Sequence, residues 1–563
     1  MKELEIYRHW LNQPNLDLEV RRQLAAMEGN EQEIFESFYR DLEFGTAGLR
    51  GILGAGTNRM NMYTVGQATQ GFASYLKENF EQPTIAIAYD SRHGSEEFAW
   101  VSARIMAKNG IRVYIYSELM PTPMLSYAVR KYHCDGGIVI TASHNPAKYN
   151  GYKVYGPDGC QAGPEMADAI LAYINKTDLF SVTMAEKDDP LIEVIPDQTV
   201  EDFLNTILSR RVCEDPKAVE DLKIVYTPLN GTGRMPVARM MKKMGVTQVT
   251  VVPEQEWPDG NFTTCPSPNP ENREALEYAL ALADKVGTDI VIGTDPDADR
   301  VGTAVYHKGE YVLLSGNEMG VLMLDYICRV RKAAGTMPKN PVAVKTIVTT
   351  AMVDDVANYY GVQLESVLTG FKFIGEVIAG LEKQDRVNDY LLGFEESYGY
   401  LMSDHARDKD AVSAVMLITD MTAYYKKQGK TLIDVLDELS ERFGYYKNQT
   451  VSFAFEGASG MDKMAAIMEN LRNEPPKDVA GAFITEISDY KLSVTKNKDG
   501  EKAITLPKSN VLAYKLSDGC SFVVRPSGTE PKLKVYMFAK ASTKAAALNR
   551  VAELKAALSE IVK

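Results

Sequence analysis

One arrangement recurs three times along this chain and limits its fold more than any other feature: a short β-branched run, a helical stretch, then two further apolar strands. First strands are expected at 84–88, 222–226 and 342–347, and helices at 95–109, 235–244 and 351–360. Second strands follow at 111–116, 246–252 and 362–368, and third strands at 137–141, 289–293 and 390–393. Strands alternating with helices imply βαβ units and parallel sheets. The runs GIVIT and DIVIG carry no polar alternation, as expected of strands covered on both faces. Ligand chemistry in such sheets belongs just beyond the carboxyl ends of the strands. The stretches found there, after the third strands, are TASHNP, TDPDADR and FEESYGY, the most polar and unusual of the chain. Three such coincidences in register predict three related α/β domains facing a common cleft.

The flanks read differently. The first 43 residues read as amphipathic helix, with Leu4, Trp10, Leu11, Ile34, Phe35 and Phe38 on apolar faces. From about residue 443 strands at 449–455, 511–516, 520–524 and 532–538 follow one another without long helices between them, and helices at 461–473 and 541–561 complete a smaller α+β domain. The expected fold is therefore α/β: three related α/β domains with mixed, mostly parallel sheets, plus a C-terminal α+β domain, around a central cleft. Boundaries are expected at 1–205, 206–318, 319–442 and 443–563. That agrees with a length of 563 residues, at about 150 per domain.

Lys and Arg number 62 against 76 Asp and Glu, a net charge of −14, which argues against nucleic-acid or anionic-membrane partners. The six cysteines form no CxxC pair, so zinc-ribbon and dithiol motifs lack their spacing. The first residues, MKELEIYRHWLNQ, do not read as a signal peptide, and no apolar run is long enough for a membrane span. A soluble protein of the reducing cytoplasm is expected.

The densest polar stretch is Asp295-Pro296-Asp297-Ala298-Asp299-Arg300. Three carboxylates at alternate positions behind a buried strand have no packing role and repel one another unless a cation answers them. All-oxygen ligands select a hard ion such as Mg²⁺. An EF-hand would need Gly where Arg300 stands and Glu where Tyr306 stands, and a helix in front rather than a strand. The plain alternative is a solvated acidic turn.

Ser143, in Ser143-His144-Asn145-Pro146, sits where a nucleophile or phosphate carrier would be placed. No nucleophile elbow surrounds it, and adjacency to His144 does not by itself supply base geometry. A helix-capping turn is the competing reading. Arg525-Pro526-Ser527-Gly528-Thr529-Glu530-Pro531 joins two C-terminal strands. Its arginine fork, two hydroxyls and Gly-freed backbone N–H groups suit a dianionic phosphate, or else form an ordinary hairpin turn. Glu395-Glu396-Ser397 and Thr369-Gly370-Phe371-Lys372 leave strands of the third unit, and suit either sugar hydroxyls or a solvated face. Lys153 and Lys409 are candidates for proton transfer or phosphate binding only in company with the rest. Gly231-Thr232-Gly233 is followed by Pro236 where a dinucleotide fingerprint needs Gly or Ala, and neither a P-loop nor HExxH occurs.

With these loops in order, the chain resembles the α-D-phosphohexomutases, the family of phosphoglucomutases and their phosphomannomutase and phosphopentomutase relatives. The resemblance covers about Phe44 to Lys540 and rests on TASHNP, DPDADR, GFEES and RPSGTEP in the family's order, with FGTAGLRG at 44–51 similar to its N-terminal signature. It implies that Ser143 carries the transferable phosphate, and that this phosphate with Asp295, Asp297 and Asp299 holds Mg²⁺. It places Glu395 and Ser397 on sugar hydroxyls, assisted by the Thr369-Gly370 loop. Arg525, Ser527, Gly528 and Thr529 would hold the phosphate that is not reacting. Arg50 and Arg300 would stabilise the transferring phosphoryl group, while His144, Lys153 and Lys409 share acid/base duty. The metal loop departs from the usual DGDGDR in carrying Pro296 and Ala298 in place of glycines.

The implied reaction is an isomerisation by phosphoryl transfer. The phosphoserine gives its group to O6 of a hexose 1-phosphate, the 1,6-bisphosphate turns over, and the serine takes the group back from O1. Glucose 1-phosphate and glucose 6-phosphate are the expected substrates, with glucose 1,6-bisphosphate as intermediate and activator. Pentose or mannose phosphates are the alternatives within the family. A non-catalytic sugar-phosphate-binding regulator is the alternative from another class. A small phosphorylated sugar is then the expected partner, bound by a monomer or homodimer.

Overall fold

The runs richest in Val, Ile and Ala become inner strands, because only they can be covered on both faces. Thr84–Tyr89, Lys223–Thr227 and Val342–Thr346 each lie between the second and third strands of their own unit and run parallel to both. The computed structural model describes residues 2–45, 48–455, 460–527 and 532–562. Within it the second strands are Arg112–Ile115, Gln248–Val251 and Gln363–Val367, and the third are Gly136–Ile140, Ile290–Thr294 and Tyr390–Phe394.

The sequence reading ends each unit at its third strand, and here the structure adds to it. Each third strand is followed by a tight loop and an antiparallel return strand: Tyr149–Tyr155, Val301–His307 and Tyr400–Leu401. In Tyr149–Tyr155 polar residues interrupt the apolar ones, and Tyr400–Leu401 is too short to show a period, so neither announces itself. The three unusual stretches are these reversals. Each contains a non-glycine residue in the left-handed region: Ser143 at φ 53°, Ala298 at 47° and Tyr398 at 64°. L-residues adopt it at a cost of about 1–2 kcal/mol, so the surrounding fold must hold each one there. The first sheet is widened by Leu49–Ile52 and Ile192–Val194 and the second by Glu310–Leu314.

The N-terminal amphipathic segment forms three helices: Lys2–Leu11, Leu18–Ala26 and Glu31–Phe38. Pro14 interrupts the first, and Asp17 and Asn30 cap the next two through their side chains. The fourth sheet is antiparallel, in the order Tyr445–Ala454, Lys532–Ala541, Ser521–Pro526, Leu512–Leu516, Ala482–Asp489, Val494–Asn497 and Gly500–Ala503. The last three of these were not expected from sequence. Their residues are largely half-buried or exposed, with no buried face to produce an apolar alternation. Helices Gly460–Asn473 and Lys544–Ile561 pack on this sheet through Met464, Leu471, Leu554 and Leu558. The expected junctions at 205/206 and 318/319 fall inside helices, Asp197–Ser209 and Gly316–Ala333.

One apolar core runs through the first three units, with Val139, Phe203, Met240, Leu322, Leu392 and Val415 as members. Its centre is the helix Ala411–Lys427, buried on nearly every face. Asp410 caps that helix, accepting from the backbone N–H groups of Val412 and Ser413 at 2.8 and 3.0 Å. No helix of the described residues is long and apolar enough to cross a membrane.

Candidate active site

Ser143 is not a helix cap: the chain turns and returns as the strand Tyr149–Tyr155. Its backbone N–H donates to Thr141 Oγ1 at 2.8 Å. Its hydroxyl donates to Asp295 Oδ2 at 2.9 Å and lies 3.1 Å from His144 Nδ1. The loop is held from beneath by Arg92, whose guanidinium donates to the carbonyls of Ser143, Asn145, Pro146 and Tyr149. Arg92 is buried and ion-paired with Asp90 at 3.2 Å.

The Asp loop folds on itself, since Asp295 Oδ1 accepts from the N–H groups of Asp299 and Arg300 at 3.1 and 2.9 Å. All three carboxylates are buried, with ligand oxygens within 4.8 Å of one another. Neighbouring units stitch the loop in place. Thr122 N–H donates to Asp297 O at 2.9 Å, Ala411 N–H to Ala298 O at 3.1 Å, and Val301 N–H to Tyr398 O at 3.2 Å. Side chains add to this: Lys153 Nζ lies 3.0 Å and Thr122 Oγ1 2.9 Å from Asp297 Oδ2, and Lys409 Nζ 3.1 Å from Asp299 Oδ2.

Charge at this centre is unbalanced. Burial, then the fields of Asp297 and Asp299, push the Asp295 carboxyl well above its ordinary range. Burial also works against ionising Asp297, but Lys153 and Lys409 outweigh it and hold that group low. Asp297 Oδ1 and Asp299 Oδ1 are buried without a hydrogen-bond partner. Three clustered carboxylates, two of whose oxygens accept no hydrogen bond, fit a hard divalent cation, which would let all three ionise. Burial, then the nearby Arg300 and Arg50, hold the His144 imidazole well below its ordinary value, so it is neutral at pH 7. Among the described residues Arg50 makes no ion pair or side-chain hydrogen bond, and it is exposed on the strand beside Gly151. Arg300 is paired with Glu271.

The third unit brings Glu395, buried, with Oε1 accepting from Gly370 N–H at 3.0 Å. Gly370 has φ 118°, a value closed to L side chains, and it opens the helix Phe371–Lys383. Ser397 is half-buried, one residue beyond Glu396. Thr369, Gly370 and Arg525 line one cavity of about 770 Å³ between the first, third and fourth units. Burial, then the charge of Glu396, pushes the Tyr536 hydroxyl up to about 12, with the nearby Arg525 opposing the shift. The backbone N–H of Ser527 donates to Lys532 O at 2.7 Å. Gly528 and Thr529 lie outside the described residues.

The structure thus brings Ser143, His144, Lys153, the three aspartates, Arg300, Lys409 and Glu395 together, with Thr369, Gly370 and Arg525 on the wall of the adjoining cavity. Sequence reasoning missed Arg92, Thr122 and Glu271. Arg92 was within reach, because it closely follows the carboxyl end of the first strand of the first unit, Thr84–Tyr89. Thr122 looks like the start of any helix.

Fold and site together define an enzyme of four units whose buried serine faces a cluster of three carboxylates that could hold a metal ion. Family models of the phosphoglucomutase/phosphomannomutase α/β/α domains I, II and III match residues 41–180, 201–309 and 315–443, and that of the C-terminal domain matches 466–556. A phosphoglucomutase of Staphylococcus epidermidis is 36% identical over 90% of this chain and 92% of its own length. One from Staphylococcus aureus is 36% identical over 94% and 95%. Among solved structures, a phosphoglucomutase/phosphomannomutase family protein of Burkholderia thailandensis superposes with TM-score 0.68 at 17% identity, covering 92% of this chain and 96% of its own. The Paramecium phosphoglucomutase parafusin, in its open form, gives 0.68 at 19%, covering 93% and 95%. The chain belongs to the phosphoglucomutase/phosphomannomutase family.

Proposed function

We propose that this chain is a phosphoglucomutase, interconverting glucose 1-phosphate and glucose 6-phosphate through a phosphorylated Ser143 and a 1,6-bisphosphate. The observation that carries this reading is the Ser143 hydroxyl, 2.9 Å from Asp295 Oδ2 and 3.1 Å from His144 Nδ1. The staphylococcal relatives, named phosphoglucomutases, support glucose over mannose or ribose.

Asp295, Asp297 and Asp299, with the serine phosphate, would hold Mg²⁺, which neutralises charge on the transferring phosphoryl group. In the return half-reaction Ser143 Oγ attacks phosphorus on O1 of the bisphosphate. The Oγ–P bond forms and the P–O1 bond breaks. The Oγ proton passes to His144, and O1 leaves with a proton from the Lys153–Lys409 pair. The forward half is the reverse of this with O6 in place of O1, so each group regains its starting charge over a cycle. Arg50 faces the transferring group. Glu395 and Ser397 hold sugar hydroxyls, and Arg525 with its hairpin holds the phosphate at rest. Glucose 1,6-bisphosphate serves as activator by phosphorylating an empty Ser143. The six cysteines are all free, which fits the proposed cytoplasmic setting.

The test is kcat/KM measured side by side on glucose, mannose and ribose 1-phosphates. The expected order puts glucose first; a preference for mannose or ribose would reassign the substrate.

A further inference from the structure

We propose that Tyr155 and Asp408 are positioning residues that hold Lys409 against the Asp loop across the boundary between the first and third units. The proposal rests on the role given above to Lys409.

Lys409 has a flexible four-carbon stem, so the place of its ammonium group must be imposed from outside. Part of that constraint is steric. A Cβ on Gly399 would lie 2.2 Å from Lys409 Cδ, so the stem fills the space that this glycine leaves, and Nζ sits 5.6 Å from the centre of the Phe371 ring. The rest is electrostatic. Nζ lies between Asp299 Oδ2 at 3.1 Å and Asp408 Oδ1 at 2.9 Å. Asp408 Oδ1 also accepts the backbone N–H of Lys409 at 2.8 Å.

The other oxygen, Asp408 Oδ2, accepts the hydroxyl of Tyr155 at 2.6 Å. Both residues are buried, and 253 positions separate them in the chain. Tyr155 ends the return strand that follows the Ser143 loop. Lys153 lies two positions before it, on the same face of the strand. One strand face therefore makes two links: Lys153 to Asp297, and Tyr155 through Asp408 and Lys409 to Asp299. The hydroxyl is what leaves Asp408 with a single oxygen for the lysine. Without it, Oδ2 becomes a buried acceptor with no donor, beside an Nζ already held by the same carboxylate at 2.9 Å. The ammonium would then turn onto Asp408 and away from Asp299.

The experiment compares Tyr155→Phe, Asp408→Asn, the double variant and Lys409→Met in the full chain, reading kcat, KM for glucose 1-phosphate and Tm. Tyr155→Phe should lower kcat about tenfold, because a shift of about 1 Å in a reacting group is costly, while KM stays within about twofold. A merely structural tyrosine would lower Tm and leave kcat per folded molecule unchanged. Acting through one chain, the tyrosine substitution should cost less than about twofold once Asp408 is Asn. Unchanged kcat in Tyr155→Phe, or an undiminished effect in the double variant, overturns the proposal. Wild-type kcat in Lys409→Met would overturn the role given to the lysine itself. A dead Lys409→Met beside a fully active Tyr155→Phe removes only the positioning step.

Discussion

Ser143, Ala298 and Tyr398 all turn the chain with positive φ, at 53°, 47° and 64°. Three bearers of the same strain at the same point of three sheets show what it is for: it reverses the chain fast enough to leave a polar side chain at the mouth of the sheet. Around them the carboxylates are set at different acidities by their surroundings. Glu396 is the clearest case. Burial, then the neighbouring Glu395, push its carboxyl up to about 7. A group whose folded value lies above its unfolded one stabilises the fold at low pH, and loses that stabilisation as pH rises through the folded value. Glu396→Gln, which can keep the hydrogen bond from Thr346 Oγ1 at 3.2 Å, should therefore raise stability at pH 8 by roughly 1–3 kcal/mol and lose that gain by pH 5. Urea titrations at the two pH values measure this; a gain independent of pH would contradict it. At this scale the chain shows its unusual chemistry and hides its ordinary chemistry. Three alternating aspartates and a serine behind GGIVIT stand out. Thr122, Glu271 and Tyr155 do not, because their partners lie tens to hundreds of positions away and nothing local distinguishes them.

Among elements, the helix Ala411–Lys427 lies within the core shared by the first three units, and its start is fixed by one residue. Asp410 accepts two backbone N–H groups and also bonds His405 Nε2 at 2.8 Å, while Ser403 Oγ holds the other ring nitrogen at 2.7 Å. Asp410→Ala removes a cap and leaves a buried imidazole unanswered, so a loss of about 2–4 kcal/mol is expected in chemical denaturation. Asp410→Asn should keep most of it, and equal losses for the two would refute the assignment. The element scale also shows what periodicity can deliver. Strands covered on both faces, such as Ile290–Thr294, were legible because nothing but apolar residues survives there. Return strands were not, since Tyr149–Tyr155 mixes tyrosine, asparagine and lysine for the sake of the site it serves. Val494–Asn497 and Gly500–Ala503 bury too little to leave a pattern.

For the whole molecule, a net charge of −14 must accommodate an anionic substrate. It does so by concentrating cations, with Arg50, Arg92, Lys153, Arg300 and Lys409 around the serine and the three aspartates, where Asp297 and Asp299 each keep an oxygen that accepts no hydrogen bond and could meet a metal. Adding Mg²⁺ to chelator-treated protein should raise Tm, since a ligand at a hundred times its Kd stabilises by about 2.7 kcal/mol, and turnover should return with it. Asp297→Asn should abolish both responses; a variant that keeps the Tm rise would move the metal elsewhere. The central claim is that Ser143 carries the phosphate between sugars. Its most direct test is mass spectrometry of the purified enzyme before and after incubation with glucose 1-phosphate bearing ¹⁸O-labelled phosphate. The account predicts a phosphate on Ser143 that exchanges for labelled phosphate, and no exchange in Ser143→Ala. Full turnover with Ser143 never labelled would contradict it.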